Sequence, residues 1–451
     1  MIKVKLFKWL YPGLKIKRWL ILSIIGILMI SIGLTVMLGF EFLGLLEGKL
    51  LTFIYSLTGR FSEWINIISG LVIMGLGIVF VTYGITKMIN SIIEALLPEN
   101  EEELVELIYQ QRHLKRGPEI VVIGGGTGLP TMLRGIKEFT SNITAVVTVA
   151  DDGGSSGVLR DELNILPPGD IRNCLVALAN TEELMERLFQ YRFDTGEELG
   201  GHSFGNLFIA TLSKVLGDFE KAVKKSSKVL AIKGQVLPST LEDVVLSAET
   251  EEGSIIEGES NISKTDGNIK EVFLKPKDCS SLPEVIEAIE EADAVVLGPG
   301  SLYTSVIPNL LVSDLTEAIK ESEALKIYNC NIMTQPGETT GYTVSDHVQA
   351  LYDHAGSEIV DYVLVNNEQI PAELLAKYEE EGASPVEIDS RELEKLNINL
   401  VEAPLLNKED LVRHNSYKLA EVIIKLIIKF KEEADQSSLI DLYLRDKYRK
   451  R

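Results

Sequence analysis

Two long apolar runs open the chain, and a different rhythm follows. Trp19 to Phe40 is 22 residues without a charged side chain, and Trp64 to Thr86 is another 23. A helix needs roughly 20 apolar residues to cross a bilayer core, so each run is long enough. Trp19 and Trp64 stand at the ends of their runs, where amphipathic rings favour the membrane interface. The first run exceeds the apolar core of roughly 7–15 residues found in signal peptides. From residue 118 onward the apolar stretches shrink to strand length. Each is closed by glycine and followed by helical spacing.

Glu119 to Ile123 reads as a buried parallel strand, and Gly124-Gly125-Gly126-Thr127-Gly128 follows at once. Leu129 to Glu138 then has apolar residues at helical spacing. Strand, glycine loop and helix together present main-chain N–H groups and a helix N-terminus to an anion. No Gly-Lys-Ser/Thr closes the loop, so it is not a Walker loop. Leu129 stands where a dinucleotide fingerprint needs its third glycine. A tight structural turn is the bland alternative.

Ile143 to Val149 is a second strand, ending in Ala150-Asp151-Asp152-Gly153-Gly154-Ser155-Ser156-Gly157. An acid there is placed to accept ribose hydroxyls, and Gly154, Ser155 and Ser156 suit a second N–H nest. Asp151 and Asp152 are alternatively ligands for Mg²⁺ through water. Pro167-Pro168-Gly169-Asp170-Ile171-Arg172-Asn173 opens a helix running to about Ala179, with Asp170 expected as its N-cap. Arg172 is harder to explain by capping, since the dipole there disfavours cations, and is assigned to an anion. Gly201-His202-Ser203-Phe204-Gly205-Asn206 precedes another apolar helix, with His202 read as an acid, a base or a hydrogen-bonding element.

The second half repeats the pattern. Ala292 to Leu297 is a strand, followed by Gly298-Pro299-Gly300-Ser301. A strand around Lys326 to Tyr328 leads into residues 329–339, whose amides and hydroxyls suit a base or a sugar. Loops of this kind at strand ends converge on one crevice in an open parallel sheet. Residues 236–278 read as a small β insertion, 416–430 as an amphipathic helix, and His347 and His354 as structural.

Charge sets the orientation and removes one class of partner. The net charge is −22, yet residues 1–18 carry six basic side chains and no acid. Residues 19–117 carry −3, which leaves −25 for the rest. So acidic a domain repels a nucleic-acid backbone. The basic N-terminus places itself, and after two spans the large C-terminal part, in the cytoplasm. The expected localisation is therefore the plasma membrane, as a multi-pass protein. Cys174, Cys279 and Cys330 are too widely spaced for a metal pattern and read as reduced thiols. The expected organisation is a membrane anchor over 1–97 (spans about 19–40 and 64–86), a linker over 98–117 with a helical stretch at Glu101 to His113, an α/β domain over 118–430 that binds a phosphate-bearing nucleotide, and a charged tail over 431–451.

These motifs, in this order and with Arg413-His414-Asn415, resemble the bacterial gluconeogenesis factor family. That family is similar in fold to the archaeal 2-phospho-L-lactate transferases of deazaflavin cofactor synthesis. The resemblance implies an α/β fold: a Rossmann-like, mostly parallel sheet with helices on both faces, here preceded by two transmembrane helices. It implies a UDP-sugar ligand, notably UDP-N-acetylglucosamine, and a role in cell shape and cell-wall precursor supply on gluconeogenic carbon. Tyr378 and Arg413 match binding residues of the family. The expected ligand set is Gly124, Gly125, Gly126, Thr127, Gly128, Asp151, Asp152, Gly154, Ser155, Ser156, Arg172, Asn173, His202, Asn206, Gly298, Gly300, Ser301, Tyr378 and Arg413. No cofactor is expected to be required. Expected partners are the nucleotide sugar, the lipid bilayer and cell-wall synthesis proteins, and the chain is expected to form a homo-oligomer. A non-catalytic regulator is the first reading and a Mg²⁺-dependent transferase of a phosphate-linked group the second. A dinucleotide oxidoreductase ranks last because of the incomplete fingerprint.

Overall fold

The computed structural model describes residues 16–38, 52–53, 55–56, 63–96, 114–180, 183–194, 199–265, 269–407 and 411–433. The chain divides into two compact units, Met1–Gln110 and Gln111–Arg451.

In the first unit the apolar runs become helices Ile16–Leu38 and Glu63–Leu96. The second helix continues well past Thr86. Glycines bring the two backbones together. A Cβ on Gly33 would lie 2.7 Å from the Gly70 carbonyl oxygen, and one on Gly77 would lie 2.7 Å from that of Gly26. Gly84 faces Ser23 and Trp19 in the same way, so the helices run antiparallel. Gly75 meets nothing. Leu20, Ile24, Leu28, Val72 and Val79 are exposed, unlike the side chains of a soluble protein's core helix. Arg18–Met37 and Ile67–Ser91 are long and apolar enough to cross a membrane. The helix expected over 101–113 and residues 434–451 of the expected charged tail lie outside the described residues.

The second unit is an α/β layer structure. Its strands are β1 (Ile120–Gly124), β2 (Ile143–Val147), β3 (Gln235–Pro238), β4 (Val245–Thr250), β5 (Ile255–Glu257), β6 (Ile269–Lys275), β7 (Ala294–Leu297), β8 (Leu325–Asn329), β9 (Tyr362–Asn366), β10 (Asn399–Ala403), β11 (Leu406–Asn407) and β12 (Arg413–His414). Seven of them form one sheet in the order β10-β9-β8-β7-β1-β2-β3. Every pairing in it is parallel. That explains the unbroken β-branched runs: β1, β2 and β7 are buried along their whole length. The expected insertion divides in two. Residues 236–238 extend the main sheet as part of β3, while β5, β4 and β6 form a separate antiparallel sheet.

The strand order fixes where a ligand can go. The chain steps outward from β1 to β2 and β3, then returns to lay β7 against the other side of β1. A crevice opens at such a reversal, beyond the carboxyl ends of the two central strands. The glycine loops follow β1 and β7. Behind them, helix Gly128–Ile136 buries Leu129, Met132, Leu133 and Ile136. Its Gly135 lies against the start of helix Ser416–Glu433, where a Cβ would come 1.8 Å from the Ser416 carbonyl oxygen. The three cysteines are free and buried.

Candidate functional site

The two central glycine loops interlock. Gly128 packs so closely that a Cβ there would lie 2.4 Å from the Pro299 carbonyl oxygen. Gly126 has φ of +61°, a left-handed conformation that favours glycine. Asn331, on the loop after β8, clamps Gly300 from both sides: its Nδ2 donates to the Gly300 carbonyl at 2.8 Å, and its Oδ1 accepts from the Gly300 N–H at 3.3 Å. Asn331 thus braces the loop through main chain, and it also lines the cavity between the loops. Gln335 is likewise engaged, donating to Glu338 at 2.8 Å.

Between the loops lies a cavity of about 370 Å³, within the usual range for small-molecule sites. Gly126, Thr127, Gly128, Gly300, Ser301, Tyr378 and Arg413 all line it. Gly124, Gly125 and Gly298 adjoin these residues in sequence but do not line the cavity. Thr127 makes no side-chain cap to helix Gly128–Ile136, so the first-turn amides keep their capacity for an anion. Arg413 is exposed on β12 and supplies a fork of donors suited to phosphate. The Tyr378 hydroxyl accepts from the Val412 N–H at 3.2 Å and so braces the segment that carries Arg413. His414 also lines the cavity. Burial pushes its imidazole down to about 4, leaving it neutral, and its Nε2 has no partner.

The remaining expected residues gather in a second cluster, outside the cavity lining. Helices Gly154–Leu163, Gly169–Leu178 and Phe204–Leu216 contribute to it. Gly154 begins the first of these, so the run after Asp152 is a helix start rather than a separate nest. Asp151 accepts from the Gly153 N–H at 2.8 Å and from the Ser156 hydroxyl. Asp152 accepts from both the N–H and the hydroxyl of Ser260, at 2.9 and 2.7 Å. Ser155 Oγ meets His202 Nδ1 at 2.9 Å and accepts from Asn206 Nδ2 at 3.1 Å. Arg172 donates to Ser203 Oγ and, at 2.6 Å, to Asn173 Oδ1.

Asp170 joins the two clusters, and here the expectation needs correcting. Pro168 is the N-cap of helix Gly169–Leu178, so Asp170 stands inside its first turn. Its carboxylate reaches back to accept from the Gly126 N–H at 2.6 Å. Glu338 does the same for the other loop, accepting from the Tyr303 N–H at 3.3 Å and from the Thr304 hydroxyl at 3.1 Å. Each loop therefore carries an internal carboxylate on one of its amides. Burial, then Asp151, pushes Asp170 up to about 6. Burial pushes Glu338 up to about 7. Glu259 is pushed up to about 8, first by burial and then by Asp151, Asp170 and Asp152. No group of three or more such side chains comes together closely enough to hold a metal ion among the described residues.

Residues 120–406 match the protein family described as 2-phospho-L-lactate transferase CofD. The chain belongs to that family. Gluconeogenesis factors are similar to it along most of their length. That of Bacillus subtilis is 50% identical over 311 residues, covering 69% of this chain and 98% of its own. That of Halalkalibacterium halodurans is 53% identical over 307 residues, covering 68% of this chain and 95% of its own. A Clostridium acetobutylicum relative is 45% identical over 449 residues, 98% of this chain and 96% of its own, so the likeness extends through the helical hairpin. A crystal structure of a UPF0052-family protein from Bacillus halodurans matches with a TM-score of 0.67 at 51% identity, covering 68% of this chain and 99% of that one.

Sequence reasoning did not single out Glu259, Ser260 or His414 as members of the site. Glu259 and Ser260 start a four-residue helix within the β insertion, where spacing carries no signal of a site. His414 was visible only as the neighbour of Arg413.

Proposed function

We propose that this protein is a gluconeogenesis factor of the regulatory kind: its cytoplasmic unit binds UDP-N-acetylglucosamine or a close relative, and the N-terminal hairpin anchors it in the plasma membrane. The observation that carries the reading is the single cavity shared by both glycine loops, Tyr378 and Arg413. First-turn amides and the Arg413 guanidinium are the counter-field a diphosphate needs, since charge-assisted bonds are the strong ones. The cavity walls at Ile332, Met333, Tyr378 and Val412 offer apolar surface for a base or sugar face. Ligand occupancy would then report nucleotide-sugar supply to cell-shape and cell-wall synthesis proteins. The test is calorimetry on the full chain in detergent with UDP-N-acetylglucosamine, UDP and GDP. Saturable binding of the UDP-sugar, tighter than GDP, is the expected result; no binding of any uridine nucleotide overturns it.

A transferase reading is favoured by one specific observation, the family match over residues 120–406. Magnesium, if used, would supply electrostatic relief to the phosphate oxygens of the departing nucleotide. The oxygen-only donors at Asp151 and Asp152 have the right chemistry. Their present commitments to Gly153, Ser156 and Ser260 leave no preformed three-carboxylate set. What the chain itself offers a transfer is orientation by the loops and a set of partly protonated acids beside them. Release of the nucleoside monophosphate (UMP or GMP), the leaving group when a group moves with its phosphate, or of UDP or GDP when it moves without it, measured with and without Mg²⁺, separates this reading from the first.

A further inference from the structure

One stretch of the second unit runs against its charge. Residues 118–451 carry a net −25, yet residues 214–233 hold six lysines against two acids. The stretch ends helix Phe204–Leu216, turns at Gly217 and Asp218, and forms helix Phe219–Val229. The two helices pack against each other. Lys221, Lys225 and Lys228 recur at i, i+4 and i+7, so they share one face of the second helix. The two acids of the stretch are already taken: Asp218 pairs with Lys221, and Glu220 with Lys224, which also meets Glu284. Lys214, Lys225 and Lys228 are exposed and pair with no acid among the described residues.

Apolar side chains stand among these lysines. Val215 is 74% exposed, more than any other large apolar side chain of this unit within the described residues. Leu216 beside it and Val229, next to Lys228, are exposed as well. Helix Phe204–Leu216 is apolar but has only 13 residues, too few to cross a bilayer. Its Leu207, Phe208 and Leu212 are only half-buried. Scattered apolar exposure is ordinary, but here it coincides with the unit's reversal of charge. Lysines around exposed apolar groups are the pairing that binds a membrane interface. The lysines meet anionic headgroups, and the apolar groups enter the boundary with the acyl chains.

We propose that the turn joining helices Phe204–Leu216 and Phe219–Val229 docks on the anionic surface of a lipid bilayer. Lys214, Lys225 and Lys228 would sit at the headgroups, with Val215 and Leu216 below them. The proposal rests on the reading that the N-terminal hairpin anchors the chain. Tethering keeps lipid close, so a contact too weak to hold a free protein suffices. The same surface repels the rest of this acidic unit, which selects the face presented to it.

The test uses the full chain in vesicles, with an environment-sensitive fluorophore attached at Val215→Cys. Cys174, Cys279 and Cys330 are buried, so the native protein takes the label at the new position. The vesicles are phosphatidylcholine alone, or equal parts phosphatidylcholine and phosphatidylglycerol. In the anionic vesicles the emission is expected to shift to the blue and to be quenched by lipid-borne quenchers. In neutral vesicles the shift is expected to be absent. It is also expected to be lost in anionic vesicles at about 1 M salt, where the Debye length is about 3 Å. Lys225→Glu combined with Lys228→Glu, both exposed changes, should lose the shift at unchanged melting temperature. The same fluorophore at Ile255→Cys, exposed on β5, is expected to stay in water in every vesicle. Equal emission at Val215→Cys in the two lipids overturns the proposal. So does an equal shift at Ile255→Cys, or a shift that persists in the double variant. A chain that floats with neutral vesicles yet shows no shift in anionic ones counts against docking alone. A chain that does not float with neutral vesicles counts against the anchor, and the docking proposal falls with it.

Discussion

The cavity between the loops and the cluster beside it were written in the same sequence grammar, yet they folded into opposite kinds of site. Both begin with strand ends, glycines and helix starts. In the cavity, two interlocked loops leave open volume, with Arg413 at its edge. In the cluster, the chain's own carboxylates close on its own amides and hydroxyls. The difference teaches that an N–H nest is a site only when no internal anion has taken it. Asp170, on the Gly126 amide, shows how narrow the margin is.

The comparison can be broken most severely at Gly128. Gly128→Val places a side chain where only a Cβ at 2.4 Å from a carbonyl is already too close. We expect loss of UDP-N-acetylglucosamine binding together with a clear drop in melting temperature. A stable variant that still binds would mean the loops do not need to interlock. Arg413→Ala should weaken binding by tens of fold at unchanged stability, since a hydrogen bond to a charged group is worth about 1.5–3 kcal/mol. Equal affinity by calorimetry would remove Arg413 from the site.

The acidic side is sharpened through pH. Asp170, Glu338 and Glu259 are raised to about 6, 7 and 8, so the native state holds more protons than the unfolded chain between the ordinary carboxylate range and about pH 8. Stability must then fall as pH rises through that window. Melting temperature is expected to be several degrees higher at pH 6 than at pH 8, and Glu259→Gln should flatten the slope by raising the value at pH 8. An unchanged slope would mean Glu259 does not carry the excess proton. The smallest effect is expected for Tyr378→Phe, which removes the acceptor for the Val412 N–H: a few-fold loss of UDP-sugar affinity, for about 0.5–1.5 kcal/mol. A loss as large as that of Arg413→Ala would indicate that the hydroxyl touches the ligand itself.

Much of this arrangement was legible before folding. The β-branched runs before Gly124 and Gly298 marked buried parallel strands, and the apolar runs marked the two long helices. Within the second apolar run, Gly70, Gly77 and Gly84 meet the facing helix closely, and Gly75 does not. What could not be read was the destination of side chains across long separations. Asp170 reaches a loop 44 residues earlier, and Asp152 is held by Ser260, 108 residues later. Local spacing made Asp170 look like a cap, because a cap and a long-range acceptor share the same residue type. Strand order was also hidden: only the return of β7 to the side of β1 brings the two loops together.

The most direct test is a structure of the chain with UDP-N-acetylglucosamine bound. The account predicts the two phosphates within hydrogen-bond reach of Arg413 and of the main chain at Thr127–Gly128 or Gly300–Ser301. Density for the nucleotide sugar against Asp151 and Asp152 instead, with Arg413 untouched, would contradict it.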